Sequence, residues 1–133
     1  MIYFSVILFP ILFALGSSAQ AYDVILAWDP NDEPDLVGYN VYVNQIGPGS
    51  QYYQLDTVLL DEIEPENPKY TATGLEEKSD YCFVVTAYDS DGYESGFSNE
   101  ACVLNGQEIA SNLSQDRGGG GGGGGCFITI SKD

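Results

Sequence analysis

Histidine is absent from this 133-residue sequence, and Lys and Arg number only 4 against 20 Asp and Glu. The first absence removes the side chain most often used as a general base near neutral pH. The second leaves a formal net charge of −16. Such a surface repels phosphate backbones and anionic lipid headgroups, which excludes nucleic acid as a partner. Cationic partners, neutral glycans and divalent cations remain, and acidity of this kind also simply keeps a protein soluble. Neither a G-x-S-x-G turn nor a phosphate loop occurs. The glycines after Arg117 lack the preceding strand and following helix of a phosphate cradle. Three Cys and no His do not make a zinc site. Carboxylates are abundant but fall in loops, without a cleft for acid–base work. No helix-period stretch and no internal repeat is visible. These absences argue against an enzyme.

What is present begins with an export signal. Met1 to Leu15 is almost wholly apolar, followed by Gly16-Ser17-Ser18 and Ala19-Gln20-Ala21. Small residues three and one before a cut suit signal peptidase, so residues 1–21 read as a signal peptide cleaved between Ala21 and Tyr22. The leader departs from the usual pattern in having no Lys or Arg before its apolar run, as if a few residues preceded Met1. The competing reading, an uncleaved anchor, needs about 20 apolar residues, and Pro10 interrupts this shorter run. The mature protein is therefore expected outside the cytoplasm, secreted, at the cell surface or in a periplasm, with no stable membrane span.

Beyond the leader, apolar residues alternate with period two, as in half-buried strands. Val24, Leu26 and Trp28 share one face, then Tyr39, Val41 and Val43. Tyr81, Phe83, Val85 and Ala87 give the strongest alternation. Gln51 to Leu60 reads as a weak strand and a candidate edge, Tyr70 and Ala72 mark another that ends at Gly74-Leu75, and Phe97 to Val103 reads as the last. Asp29 to Gly38, Gly47 to Ser50, Asp61 to Pro68 and Asp89 to Ser95 read as loops or turns. Six or seven short strands argue for an all-β antiparallel sandwich over residues 22–104. Residues 105–133 read as a flexible tail, polar at first. Eight glycines, Gly118 to Gly125, cannot bury apolar surface. A short patch with Cys126 closes the chain.

The stretch Val24 to Val103 resembles a fibronectin type III domain, especially forms found in secreted bacterial proteins. The matching pieces are Val24-Ile25-Leu26-Ala27-Trp28-Asp29-Pro30, Asp35-Leu36-Val37-Gly38-Tyr39-Asn40-Val41-Tyr42, Gly74-Leu75 before Tyr81, Val85-Thr86-Ala87-Tyr88-Asp89, Gly92-Tyr93-Glu94-Ser95 and Ser98-Asn99-Glu100. They fall in the family's order over about 80 residues, the length of one sandwich. The resemblance implies an immunoglobulin-like two-sheet fold with Trp28 in the core. It also implies a tyrosine corner, the Tyr81 hydroxyl bonding to backbone near Leu75. The sequence departs from the family before Trp28, where the usual first strand is missing or very short, leaving an edge exposed. The glycine run with Cys126-Phe127-Ile128 resembles C-terminal tails of some secreted bacterial proteins.

In the alternation Cys82 and Cys102 both point away from the core. A hairpin turning at Gly92 sets them opposite each other, equally far from the turn. Directly opposed Cβ atoms lie about 4.5–5.5 Å apart, and a disulfide prefers about 3.8 Å, so a small adjustment closes the bond in an oxidising compartment. Closing a loop of this length contributes roughly 3 kcal/mol. Cys126 is left over, either for attachment or intermolecular pairing, or as part of a truncated tail.

Two acidic loops, Asp29, Asn31, Asp32, Glu33 and Asp35 and then Asp89, Asp91 and Glu94, should meet at one end of the sandwich. Tyr88 and Tyr93 flank that end. These residues are the expected contact surface. Calcium is the one ion that suits them, but the ligand spacing is incomplete and Asp, Asn and Gly also serve turns, so no cofactor is expected. The function expected is a secreted, non-catalytic module that binds a protein or glycan in adhesion, or acts as a spacer at the cell surface. The alternatives are a structural fragment or accessory domain of a larger exported protein, or a weak calcium-binding module.

Overall fold

The computed structural model describes residues 20–104, 107–109 and 128–132. Two antiparallel sheets face each other. One has the order β4-β1-β8, built from Lys69–Glu76 (β4), Ala21–Trp28 (β1) and Ile128–Lys132 (β8). The other has the order β3-β2-β5-β6-β7. Its strands are Tyr53–Leu59 (β3), Leu36–Gln45 (β2), Tyr81–Asp89 (β5), Ala101–Leu104 (β6) and Gln107–Ile109 (β7). No helix among the described residues is long and apolar enough to cross a membrane.

The alternating side chains fill the space between the sheets. Val24, Leu26 and Trp28 come from β1, Tyr39, Val41 and Val43 from β2, Ala72 and Leu75 from β4, Phe83, Val85 and Ala87 from β5, and Ala101 and Val103 from β6. Trp28 is 4% exposed and meets Tyr39 edge to face, with ring centroids 5.1 Å apart. Such a pair contributes about 0.5–1.5 kcal/mol beyond its buried area. The Tyr39 hydroxyl extends from this core to accept the Asn31 N–H at 3.0 Å, tying the β1–β2 loop to the interior. At the opposite end the Tyr81 hydroxyl accepts the Glu76 N–H at 3.2 Å, one residue beyond Leu75.

Cys82 and Cys102 lie opposite each other in the β5–β6 register and form a disulfide. They face away from the core yet are buried, as are Val84 and Thr86 on the same side of β5. Alternation alone assigns these positions to solvent. Burial follows because β5 is an inner strand and other side chains fold over its outer face, as described below.

Three differences from the sequence reading bear on function. The strand expected over Phe97 to Val103 begins at Ala101. The segment read as a loose tail supplies two strands: β7 pairs with β6, and β8 pairs with β1 along Val24↔Lys132 to Trp28↔Ile128. The edge of β1 expected to be exposed is therefore covered. An unpaired strand edge presents backbone N–H and C=O groups, and the β-branched Ile-Thr-Ile run suits a pleated partner. Gly118 to Gly125 and Cys126 lie outside the described residues, as do residues 1–19 of the expected leader.

Candidate functional site at the β1–β2 and β5–β6 end

Asp89 builds the first part of the site. Its backbone accepts the Gly92 N–H at 3.1 Å, closing a tight turn, while its Oδ1 accepts the N–H groups of Asp91 and Tyr93, each at 2.9 Å. Gly92 has φ 86°, the left-handed region that disfavours a Cβ. Aspartate and glycine here serve turn geometry, and the turn projects Tyr93, which is 75% exposed.

Residues 94–99 then run beside β5 without forming a regular strand. Ser95 donates its N–H to the Ala87 carbonyl at 2.8 Å, and its Oγ accepts the Ala87 N–H at 2.9 Å. Ser98 repeats the device on Val85, with N–H to carbonyl at 2.9 Å and Val85 N–H to Oγ at 2.8 Å. Each serine thus supplies both partners that a strand residue would offer, so β5 is satisfied while the segment between keeps an irregular path.

That path places Glu94 and Phe97 over the outer face of the five-stranded sheet. Glu94 Oε1 accepts hydrogen bonds from Asn40 Nδ2 at 3.1 Å and from the hydroxyls of Tyr42 and Thr86. Partial burial pushes its pKa up, but the bonds from Thr86, Tyr42 and Asn40 outweigh this and hold it below the ordinary value. Phe97 packs between Tyr42 and Tyr52, with centroids 5.2 and 5.5 Å away, and remains 55% exposed. Tyr52 donates to Glu100. Burial, then that carboxylate, raises the Tyr52 pKa far above the ordinary tyrosine value.

The β1–β2 loop meets this segment, with the Ser90 N–H donated to the Asp35 carbonyl at 3.0 Å. Between them lies a cleft of about 340 Å³. Asn31, Glu33, Asp35 and Leu36 wall one side, and Tyr88, Asp89, Tyr93 and Glu94 the other, with Ala87 and Phe97 completing it. A second depression, of about 380 Å³, lies beyond the same Glu94–Phe97 segment against Tyr42 and Thr86. Of the residues expected at this end, Asn31, Glu33, Asp35, Tyr88, Asp89, Tyr93 and Glu94 come together in the cleft. Asp29, Asp32 and Asp91 are exposed and do not line it.

The carboxylates of the two loops do not converge as an ion would require. Among the described residues, the group of three candidate ligand atoms within 4.8 Å of one another is Cys82, Glu100 and Cys102. Its two sulfurs are joined to each other, which leaves no thiolate for a metal. Phe97, Tyr42, Tyr52, Thr86 and Glu100 were not legible as site residues. The only sequence signal was an aromatic at position 97 among the small polar residues Ser95, Gly96, Ser98 and Asn99.

A family profile for the fibronectin type III domain matches residues 14–102. The chain belongs to the fibronectin type III family. The match agrees with the two-sheet sandwich. Fibronectin type III domains serve generally as non-catalytic binding or spacer modules, and many mediate protein interactions. The matched residues begin within the predicted leader and end before β7, so neither β7 nor β8 falls within the family match. No curated protein matches the chain.

Proposed function

We propose that this fibronectin type III chain is an exported, non-catalytic recognition module that grips a basic segment of a partner protein in the cleft between the β1–β2 loop and the β5–β6 connection. The observation that carries the reading is the cleft itself, whose lining combines aromatic and aliphatic side chains (Leu36, Ala87, Tyr88, Tyr93 and Phe97) with the carboxylates of Glu33, Asp35, Asp89 and Glu94. A lining of apolar surface and carboxylates suits Lys or Arg, whose stem packs on apolar surface while the charged head meets oxygen. Loops on a rigid scaffold commonly carry recognition. The chain's net charge of −16 would speed encounter with a basic partner. Tyr93, large and exposed, is the expected anchor. Export follows from the leader, and the oxidising compartment it implies suits the Cys82–Cys102 bond.

The test is a pull-down from the native envelope fraction with the wild type and with Tyr93→Ser. The reading expects a partner retained by the wild type, lost by the variant and released as salt is raised. Capture by both proteins alike, or capture indifferent to salt, refutes it. N-terminal sequencing of the exported protein checks the leader: a start at Tyr22 is expected, and an intact Met1 end contradicts it.

A further inference from the structure

Strand β1 is paired on both sides, by β4 on one and β8 on the other. The two partners differ in kind. β4 is 8 residues long, whereas β8 has 5 and reaches β1 from across the 110–127 connection. A connection of that length could deliver its end to many places on a small domain. The ladder with β1 places β8, with β6 and β7 as further neighbours. The register runs Val24↔Lys132, Ile25↔Ser131, Leu26↔Ile130, Ala27↔Thr129 and Trp28↔Ile128, and Thr129 Oγ1 reaches the Ala27 carbonyl at 3.4 Å.

The composition of the seated segment is as informative as its register. Residues 128–132, Ile-Thr-Ile-Ser-Lys, alternate Ile with small hydroxyl residues and carry one positive charge and no carboxylate. The chain they pair with carries a net charge of −16. Backbone pairing along an edge is indifferent to sequence, so selection rests on the alternate side chains and charge.

We propose that the β8 side of β1 is a strand-docking site. It accepts, in place of β8, an extended segment of a partner protein with β8's chemistry: β-branched residues at alternate positions, a lysine and no carboxylate. β8 is then the resident occupant, which keeps the edge from indiscriminate pairing and yields to a segment that pairs better. This site lies on the three-stranded sheet, shares no lining residue with the cleft of the proposed function, and stands or falls separately from it.

The probe is a synthetic peptide of residues 127–132, with a control peptide in which both isoleucines are aspartate. Both are titrated against the full-length wild type and against full-length protein carrying Thr129→Pro together with Ile130→Pro. Neighbouring strand N–H groups point in opposite directions, so one of the two prolines removes a donor facing β1. The expected result is at least tenfold tighter peptide binding to the proline variant than to the wild type, with the aspartate peptide binding neither. Equal affinities overturn the proposal. So does an absence of binding to a proline variant whose Trp28 emission shows a folded sandwich. Should that variant not fold, the wild type decides by NMR. Saturating peptide must abolish the cross-strand contact between Ile25 and Ser131, and its survival refutes the site. Loss of the contact on concentrating the wild type without peptide would overturn the partner reading in favour of exchange between copies.

Discussion

Replacing Gly38 by alanine should destabilise the domain far more than its mid-strand position suggests. Gly38 pairs with Leu59 in β3 and Tyr88 in β5. A Cβ at this position would lie 2.3 Å from the Val58 carbonyl oxygen, 3.0 Å from the Tyr88 hydroxyl and 3.1 Å from its ring. Ordinary carbon–oxygen contacts are about 3.3 Å or longer, so the carbonyl must retreat by roughly 1 Å. It belongs to β3, whose Val58 pairs with Tyr39, so the retreat loosens the β2–β3 ladder where β2 carries its core residues. Overpacking of this kind costs about 1–3 kcal/mol. Because β3 is an edge strand and can shift, about 2 kcal/mol is the expected value. For a domain this small that lowers Tm by roughly 8–16 °C. Urea and thermal denaturation followed by Trp28 fluorescence measure it. Gly47→Ala is the control, since nothing lies within 4 Å of that Cβ; it should stay within about 0.5 kcal/mol of the wild type. A Gly38→Ala protein as stable as the control would refute the account of the β2–β3 contact.

Three further outcomes follow from the same geometry. The Cys82–Cys102 bond spans a sequence separation of 20, so reduction or the Cys82→Ser, Cys102→Ser pair should lower stability by about 3 kcal/mol in urea melts; an unchanged midpoint would show the bond idle. Glu94 has its pKa held below the ordinary 4.5 by hydrogen bonds that outweigh burial, so its contribution is present above that pH and is lost as pH falls through the folded value. The wild type should therefore lose its advantage over Glu94→Gln on acidification below about pH 4.5; a difference constant from pH 7 to pH 3 would contradict the bonding. Thermal midpoints with calcium and with chelator should coincide, because Asp89 Oδ1 already accepts two backbone N–H groups; a calcium-dependent rise would support the ion.

How much was legible beforehand follows the range of the interactions. Period-two alternation reads a residue's own strand, so Val24, Leu26 and Trp28, Tyr39 and Val41, and Phe83 and Val85 could be placed from local pattern alone. The Cys82 and Cys102 register was legible because both strands leave one turn at Gly92. What escaped depends on contacts distant in sequence. The outward side of β5 looked solvent-exposed, since nothing local says that Tyr42, Tyr52 and Phe97 close over it. From the sequence Phe97 reads as a strand residue, because an apolar residue near a strand's start fits the alternation. In the structure Ser95 and Ser98 satisfy β5 with both backbone and hydroxyl, which frees the ring to turn outward. Strand β8 escaped for the same reason: its partner lies some 100 residues earlier, on the far side of a glycine run that reads as the end of order. The cleft's position followed from sandwich topology, but its membership required the path of residues 94–97.

The interior on which these sites are mounted is tested most directly by its lone indole. Acrylamide quenching of native Trp28 should be weak, with blue-shifted emission that moves to the red and becomes fully quenchable only on unfolding. A native Trp28 quenched as readily as the free amino acid would contradict the two-sheet core, and with it the cleft and the docking edge.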